Sequence, residues 1–146
     1  MELGLKGKVA LVTGSSRGIG RGTALALAAE GCDVMLTGRD AKALEEVAAE
    51  IRGMGRRTAV AVLDLRAADG PQMLIAAVKR EFGGLDILFN NAGTTRRGDF
   101  FALTDADWEE GYALKFFAHV RLNRLAWPLL KERRGALIAM GGTSGR

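Results

Sequence analysis

The chain alternates short runs of apolar residues with longer segments in which apolar residues recur at every third or fourth position. A continuous apolar run is typical of a strand buried on both faces of a parallel sheet, whereas the longer spacing is typical of a helix with one buried face. The pattern predicts strands over 9–13, 33–37, 58–63, 85–89 and 136–140. It predicts helices over 18–30, 40–53, 71–82 and 105–131.

Single helices between successive strands indicate repeated βαβ units and therefore a doubly wound parallel sheet of the α/β class. We expect one domain over residues 1–146, with five strands and about five helices. Sheets of this type usually have six strands in two halves, so the predicted fold is incomplete. On that reasoning the chain stops before the second-half helix that would follow the fifth strand.

A glycine-rich turn follows the first predicted strand directly. Its sequence is Thr13-Gly14-Ser15-Ser16-Arg17-Gly18-Ile19-Gly20. Between a buried strand and a helix, such glycines permit a sharp turn, a close approach of the backbone to a pyrophosphate and tight packing of the helix. The N–H groups at the helix start then bind the phosphates. The turn predicts a Rossmann-type dinucleotide site, with Gly14, Ser15, Ser16, Arg17, Gly18, Ile19 and Gly20 as binding residues.

The end of the second strand indicates which dinucleotide binds. A free ribose 2′-hydroxyl is usually held by an acidic residue about 20 positions after the glycine motif. That place falls at Gly38, and Arg39 follows it, while Arg17 stands within the turn itself. Two guanidinium groups suit a 2′-phosphate, so we expect NADP(H) in preference to NAD(H). Asp40 is interpreted as the N-cap of the next helix.

Composition excludes several classes of protein. With 21 basic and 17 acidic residues the net charge is +4, and the basic residues form scattered pairs, so no nucleic-acid partner is expected. No apolar stretch has the length of a membrane span or the form of a signal peptide, so no membrane partner is expected. We expect the single cysteine, Cys32, to be a small apolar side chain buried in the core. One cysteine cannot form a disulfide within the chain, which fits a cytoplasmic location. The only histidine, His119, has no neighbouring ligand residue, so no metal site is predicted.

Two further motifs follow later strands. Asp64 comes after the third strand, and Asn90-Asn91-Ala92-Gly93 ends the fourth. With the glycine turn, in this order and spacing, they make the chain resemble the short-chain dehydrogenase/reductase family. The resemblance implies that Asp64 binds the adenine amino group and that Leu65 offers backbone contacts. It also implies that Asn91, Ala92 and Gly93 line the adenosine side and tie the central strands together.

The family's catalytic positions are matched poorly. The only tyrosine, Tyr112, precedes the fifth strand and lacks a lysine four residues later, so it is interpreted as a helix-face aromatic. The family asparagine, counted from Trp108, falls at Lys115, whose ammonium could serve as a proton donor. The family serine aligns best with Gly142, with Ser144 just beyond as the candidate.

Two functions remain open from the sequence. The first is an NADP(H)-dependent oxidoreductase that interconverts a ketone and a secondary alcohol, with residues 1–146 alone expected to be inactive. The alternative is a nucleotide-binding pseudo-enzyme or regulatory module without turnover, which the departures at Lys115 and Gly142 favour. A methyltransferase with a similar sheet is disfavoured by Arg17, Arg39 and the asparagine motif.

The long helix over 105–131 carries aromatic and aliphatic residues on more than one face. One face must cover the sheet, so another is free to contact a partner. In the family that the chain resembles, the partner is the same helix of a second subunit. We therefore expect a homodimer or homotetramer formed through this helix.

Overall fold

The computed structural model describes residues 1–93 and 98–142. These residues form five strands and five α-helices, and one helix follows each of the first three strands. Two helices joined by a π-helical turn lie between the fourth and fifth strands. The strands are β1 (Val9–Thr13), β2 (Asp33–Gly38), β3 (Thr58–Val62), β4 (Ile87–Asn90) and β5 (Ala136–Ala139). The helices are α1 (Gly18–Ala29), α2 (Ala41–Gly53), α3 (Gly70–Phe82), α4 (Asp105–Tyr112) and α5 (Ala118–Glu132), and the π-helical turn is Ala113–Phe117.

All four strand pairings are parallel, and the order across the sheet is β3-β2-β1-β4-β5. The chain first moves outward from β1 through β2 to β3 and then returns to place β4 on the other side of β1. The chain therefore leaves β1 toward the helices on one face of the sheet and leaves β4 toward the helices on the other face. In open parallel sheets ligands bind beside this change of direction. The predicted Rossmann-type α/β fold is confirmed.

The sheet separates two apolar layers. Successive residues of a strand point to opposite faces, so Ala10 and Val12 pack on α1 and α2, whereas Leu11 packs on α3 and α5. The largest fully buried side chains come from both layers: Leu11, Met35, Leu36, Leu44, Ile51, Leu74, Leu85, Leu88, Leu122 and Leu130. This two-sided burial explains why the strands read as continuous apolar runs.

The ends of the helices follow the local sequence signals. The Asp40 carboxylate accepts a hydrogen bond from the Ala43 N–H, which confirms Asp40 as the N-cap of α2. Thr104 and Asp107 form a reciprocal capping box at the start of α4. Gly83 ends α3 with a φ of 74°.

The long helix differs from its prediction in one respect. The π-helical turn interrupts it between α4 and α5, and Lys115 lies at the centre of that turn. A π turn holds one more residue than an α turn, so it shifts the faces of the helix on either side of it. As predicted, the helix continues past Pro128, and it ends at Glu132.

Within residues 1–93 and 98–142, no helix is both long and apolar enough to cross a membrane.

Candidate functional site

A cleft of about 340 Å³ opens at the carboxyl ends of the strands, next to the change of direction between β1 and β4. It brings together the three motifs that are far apart in the sequence. Its lining consists of Gly14, Ser16, Arg17, Gly18, Ile19, Thr37, Gly38, Arg39, Leu63, Asp64, Leu65, Asn91, Ala92, Gly93 and Leu114. Every lining residue except Thr37, Gly38, Leu63 and Leu114 is a predicted cofactor-binding residue.

The glycine turn needs its glycines for different reasons. Gly14 and Gly18 have φ values of 63° and 56°, which residues with a side chain rarely adopt. A Cβ on Gly14 would also lie 3.0 Å from the Cα of Ala92. No atom lies within 4 Å of a Cβ placed on Gly18, so its backbone borders open space in the cleft. No side chain caps α1 and its first turn has no acidic residue, so the helix start is suited to an anion.

The two serines of the turn have different surroundings. The Ser15 hydroxyl is fully buried, where it donates to the Thr37 carbonyl at 3.3 Å and accepts from the Thr37 N–H at 3.0 Å. Its side chain therefore holds the turn against β2 instead of facing the cleft. Ser16 lines the cleft.

Two exposed arginines, Arg17 and Arg39, line the cleft together with Gly38. Arg17 comes from the glycine turn, and Arg39 follows β2. Neither guanidinium forms an ion pair or a hydrogen bond with any other residue of 1–93 or 98–142. Asp40 is engaged in capping α2, so it does not compete for them. The cleft therefore carries two free positive charges near the predicted place of a 2′-phosphate.

Asp64 lies in the cleft after β3, and Arg66 holds its carboxylate. The Arg66 guanidinium donates from Nε to Oδ1 at 3.0 Å and from Nη2 to Oδ2 at 2.8 Å, and the Arg66 N–H donates to Oδ1 at 2.9 Å. The side-chain hydrogen bond from Arg66 lowers the pKa of Asp64 from its ordinary 3.8, and Arg39 adds a weaker effect in the same direction. Asp64 is therefore an ionised hydrogen-bond acceptor at neutral pH.

The loop after β4 is tied to the turn after β1. The Thr13 hydroxyl accepts hydrogen bonds from the N–H groups of Asn91 and Ala92, both at 2.9 Å. The Asn91 amide donates to the carbonyls of Thr13 and Gly14, both at 3.2 Å. His119 of α5 contacts the same loop through Nε2, 2.9 Å from the Ala92 carbonyl. The loop and the glycine turn are therefore fixed relative to each other.

Lys115 lies against the cleft-lining loop. A Cβ placed on Gly93 would be 2.8 Å from Cε of Lys115 and 3.1 Å from its Cγ, so the lysine stem runs along Gly93. The side chain is exposed, not buried, and its ammonium has no ion-pair partner in the described ranges. Tyr112 is also exposed and stacks edge to face on Phe116, as expected of a helix-face aromatic. Ser144 lies outside the described residues.

No group of three or more His, Cys, Asp or Glu side chains that could hold a metal ion occurs among residues 1–93 and 98–142. Cys32 is fully buried, and burial raises the pKa of its thiol. It is a core residue outside the cleft.

Three residues that support the cleft without lining it were also not predicted as site residues from the sequence. Thr13 and His119 support the loop after β4, and Arg66 orients Asp64. The spacing of Asp64 and Arg66 is the one available signal, because a side chain of Asp commonly accepts from the backbone two residues later. The contact of His119 with Ala92 joins residues 27 positions apart, and no local pattern indicates it.

Comparison with known proteins gives a consistent result for this arrangement. A sequence profile described as "short chain dehydrogenase" matches residues 8–146. One curated relative is the 2-dehydro-3-deoxy-D-gluconate 5-dehydrogenase of Escherichia coli (strain K12), which is 42% identical over 106 residues. That match covers 73% of this chain and 41% of the relative.

Solved structures agree in fold and carry nicotinamide cofactors. L-sorbose reductase from Gluconobacter frateurii, complexed with NADPH and L-sorbose, superposes with a TM-score of 0.91 at 36% identity, over 95% of this chain and 54% of that one. A short chain dehydrogenase from Burkholderia cenocepacia J2315, in complex with NADP, gives 0.91 at 37% identity, over 95% and 57%. The chain therefore spans about half the length of the proteins it matches.

Proposed function

This chain belongs to the short-chain dehydrogenase family, and on that premise we propose that it binds NADP(H) in preference to NAD(H) and serves the interconversion of a ketone and a secondary alcohol. When bound, the nicotinamide ring supplies or accepts the hydride. The residues of the chain hold the cofactor, orient it and help to move the proton.

The observation that carries the proposal is the pair of unpaired arginines beside an uncapped helix start. Arg17 and Arg39 supply positive charge where Gly38 replaces the acid that would select a free 2′-hydroxyl. The N–H groups at the start of α1 and the open space at Gly18 suit a pyrophosphate. The NADPH and NADP found in two similar structures support the same assignment.

The remaining cofactor contacts follow from the other two motifs. Asp64 would accept a hydrogen bond from the adenine amino group, with Leu65 beside it. Asn91, Ala92 and Gly93 would border the adenosine, in the loop that Thr13 and His119 hold in place. Gly20 serves the site indirectly, because it lets α1 approach the Gly14 carbonyl.

Lys115 is our candidate for the group that delivers a proton. Reduction of a ketone leaves negative charge on the carbonyl oxygen, which must receive a proton, and a positioned donor is typically worth about 10²–10⁴-fold in rate. The Lys115 ammonium is free of ion pairs in the described part of the chain, and its stem lies along Gly93 at the cleft. Ser144 is a second candidate, whose hydroxyl would polarise the carbonyl.

Cofactor preference is tested by titration of the Arg39→Ala variant. We expect NADPH affinity to fall about 10- to 150-fold, because a charged contact with a phosphate is lost, while NADH affinity changes little. The Arg52→Ala variant is a matched control, since Arg52 is an exposed arginine paired with Glu45 on α2. Equal weakening of NADPH and NADH in Arg39→Ala would contradict the 2′-phosphate contact.

Turnover is tested separately on the 146-residue chain and its Lys115→Ala variant, with a panel of ketones. We expect the chain to bind NADPH but to reduce no ketone above background, since its match to the family's catalytic positions is incomplete. Turnover that disappears in the variant would overturn this expectation and identify Lys115 as the proton donor. Turnover that the variant retains would refute both the expected inactivity of the chain and the role of Lys115 as proton donor. A failure to bind NADPH would refute the proposed cofactor.

We also propose a cytoplasmic homodimer or homotetramer that uses the helical segment 105–131. The support is a set of exposed apolar residues along α4, the π-helical turn and α5. They are Trp108, Tyr112, Phe116, Phe117, Val120, Leu125 and Trp127.

A further inference from the structure

Arg66 joins two carboxylates that come from different elements. On one side it makes a forked contact with Asp64, in the loop after β3. On the other side its Nη1 donates to the Glu110 carboxylate of α4 at 2.5 Å. Arg66 is partly buried, with 26% of its side chain exposed, and it joins the cleft residue Asp64 to α4.

The contact with Asp64 fixes the direction of both carboxylate oxygens. Oδ1 accepts from the Arg66 backbone N–H and from Nε, and Oδ2 accepts from Nη2 and, at 3.1 Å, from Nε. A carboxylate held by one hydrogen bond can rotate, but one held by a planar fork and by the backbone cannot. The Asp64 side chain still has 36% of its surface exposed, and it lines the cleft.

Glu110 completes the arrangement in two ways. It holds the far end of the guanidinium, so the fork cannot swing away from Asp64. It also adds a second carboxylate, so Asp64, Arg66 and Glu110 together keep a net charge of −1. The Asp64 side of the cleft therefore stays negative although the Asp64 carboxylate is paired.

We propose that Arg66 is a positioning residue that sets the specificity of the site for the base of the cofactor. By holding Asp64 in one orientation, it makes the site select a base with an amino group at the adenine 6-position. The inference rests on the proposed contact between Asp64 and adenine.

The physical reason is that an immobile acceptor discriminates more strongly than a mobile one. Adenine carries a donor at the 6-position, whereas hypoxanthine carries a carbonyl oxygen there. A fixed Asp64 carboxylate faces that oxygen as acceptor against acceptor, and it cannot turn away. Without Arg66 the Asp64 carboxylate would rotate and tolerate either base. The selectivity for adenine over hypoxanthine would then fall more than the affinity for NADPH itself.

The test is calorimetric titration of the 146-residue chain with NADPH and with its hypoxanthine analogue. The measured quantity is the ratio of the two dissociation constants. For the unmodified chain we expect the analogue to bind at least about tenfold more weakly, the effect of losing a hydrogen bond to a charged group. In Arg66→Gln the ratio should fall to within about threefold of unity, since the fork and the charge are both lost.

Four further variants separate the explanations. Arg66→Lys keeps the charge but not the fork, and its ratio should also fall. In Asp64→Asn the ratio should also fall toward unity. The asparagine amide can accept from the adenine amino group through its oxygen, and it can donate to the hypoxanthine oxygen through its NH₂ group. Glu110→Gln keeps an amide oxygen that can accept from Nη1 of Arg66, so the Asp64 fork stays in place and most of the ratio should remain. Arg52→Gln removes an exposed, paired arginine from α2 and should leave the ratio unchanged.

Each outcome decides between the inference and its premise. A ratio lost in Asp64→Asn but unchanged in both Arg66 variants would overturn the role of Arg66 and leave the Asp64 contact standing. A ratio near unity in the unmodified chain, or one kept by Asp64→Asn, would overturn the adenine contact and the inference with it. Equal weakening of both cofactors in the Arg66 variants, with the ratio intact, would show that Arg66 only supports the fold.

Discussion

Arg134 has a φ of 51°, a backbone conformation that an arginine rarely adopts. It directly follows the C-cap of α5, where the Arg134 N–H donates to the Lys131 carbonyl and the Gly135 N–H donates to the Leu130 carbonyl. These two hydrogen bonds form a Schellman motif, in which this position is usually glycine. A Cβ on the next residue, Gly135, would lie 2.2 Å from the Asp86 carbonyl oxygen, so that position accepts only glycine.

We expect Arg134→Gly to be more stable than Arg134→Ala by about 1 kcal/mol, because only glycine relieves the left-handed conformation. The alanine variant also lacks the arginine charge, so the comparison isolates the backbone. Urea denaturation of both variants measures the difference. An alanine variant as stable as the glycine variant would show that this turn stores no strain.

The pairing of Asp64 with Arg66 makes stability depend on pH. The pKa of Asp64 is lower in the folded chain than its ordinary 3.8, so the folded state favours the ionised form. Its stabilising contribution is present above the unfolded value and is lost as the pH falls toward the folded value. The unfolding free energy of the unmodified chain minus that of Asp64→Asn should therefore be larger at pH 6 than at pH 2.5. A difference that stays constant in that range would contradict the linkage.

At the scale of elements, two of the three glycines in helix α1, Gly20 and Gly22, have opposite roles. A Cβ on Gly20 would lie 2.1 Å from the Gly14 carbonyl oxygen and 2.6 Å from the Asn91 amide nitrogen. Gly22 lies on the exposed face of the same helix, with nothing within 4 Å of its Cβ position. The close approach at Gly20 joins α1, the glycine turn and the loop after β4 in one unit.

Gly20→Ala should destabilise the chain by about 1–3 kcal/mol or more and weaken NADPH binding, because the added methyl group meets backbone that cannot move freely. Gly22→Ala should stabilise it by about 0.5–1 kcal/mol, the difference in helix propensity. Thermal unfolding and NADPH titration of the two variants provide the comparison. Two variants of equal stability would mean that α1 can shift to accept a side chain at position 20.

At the scale of the whole molecule, the proposed association rests on the exposed aromatic side chains of the 105–131 segment. Phe116 stacks edge to face on both Tyr112 and Phe117, and more than half of its surface is exposed. Exposed, contiguous apolar residues of this kind are typical of an interface between subunits.

We expect sedimentation velocity at tens of micromolar to show a dimer or tetramer, and Phe116→Glu to shift it toward monomer, because a buried charge at the interface is unfavourable. Met54→Glu places the same charge on an exposed apolar residue at the end of α2 and should leave the association unchanged. A monodisperse monomer in the unmodified chain would contradict the proposed interface.

Local signals in the chain were sufficient for the architecture and for most of the cleft. Continuous apolar runs such as 9–13 mark strands buried on both faces, and Asp40 and Thr104 mark helix starts through hydrogen bonds to residues three positions away. The glycine turn, Asp64 and the Asn91–Gly93 loop could be placed at one edge because the carboxyl ends of parallel strands meet there. These placements depend only on short spacing and on chain direction, whereas the cofactor contacts expected of Asp64 and of Asn91–Gly93 came from the resemblance to the family.

The parts that local signals missed depend on contacts between distant segments. The π-helical turn has no distinct spacing in the sequence, and it places Lys115 along Gly93, 22 positions away. Arg66 and Glu110 are 44 residues apart, and His119 meets Ala92 only after α5 has packed on the sheet. Such contacts are fixed by how helices seat on the sheet, which follows from packing of the whole core and not from any one stretch of residues.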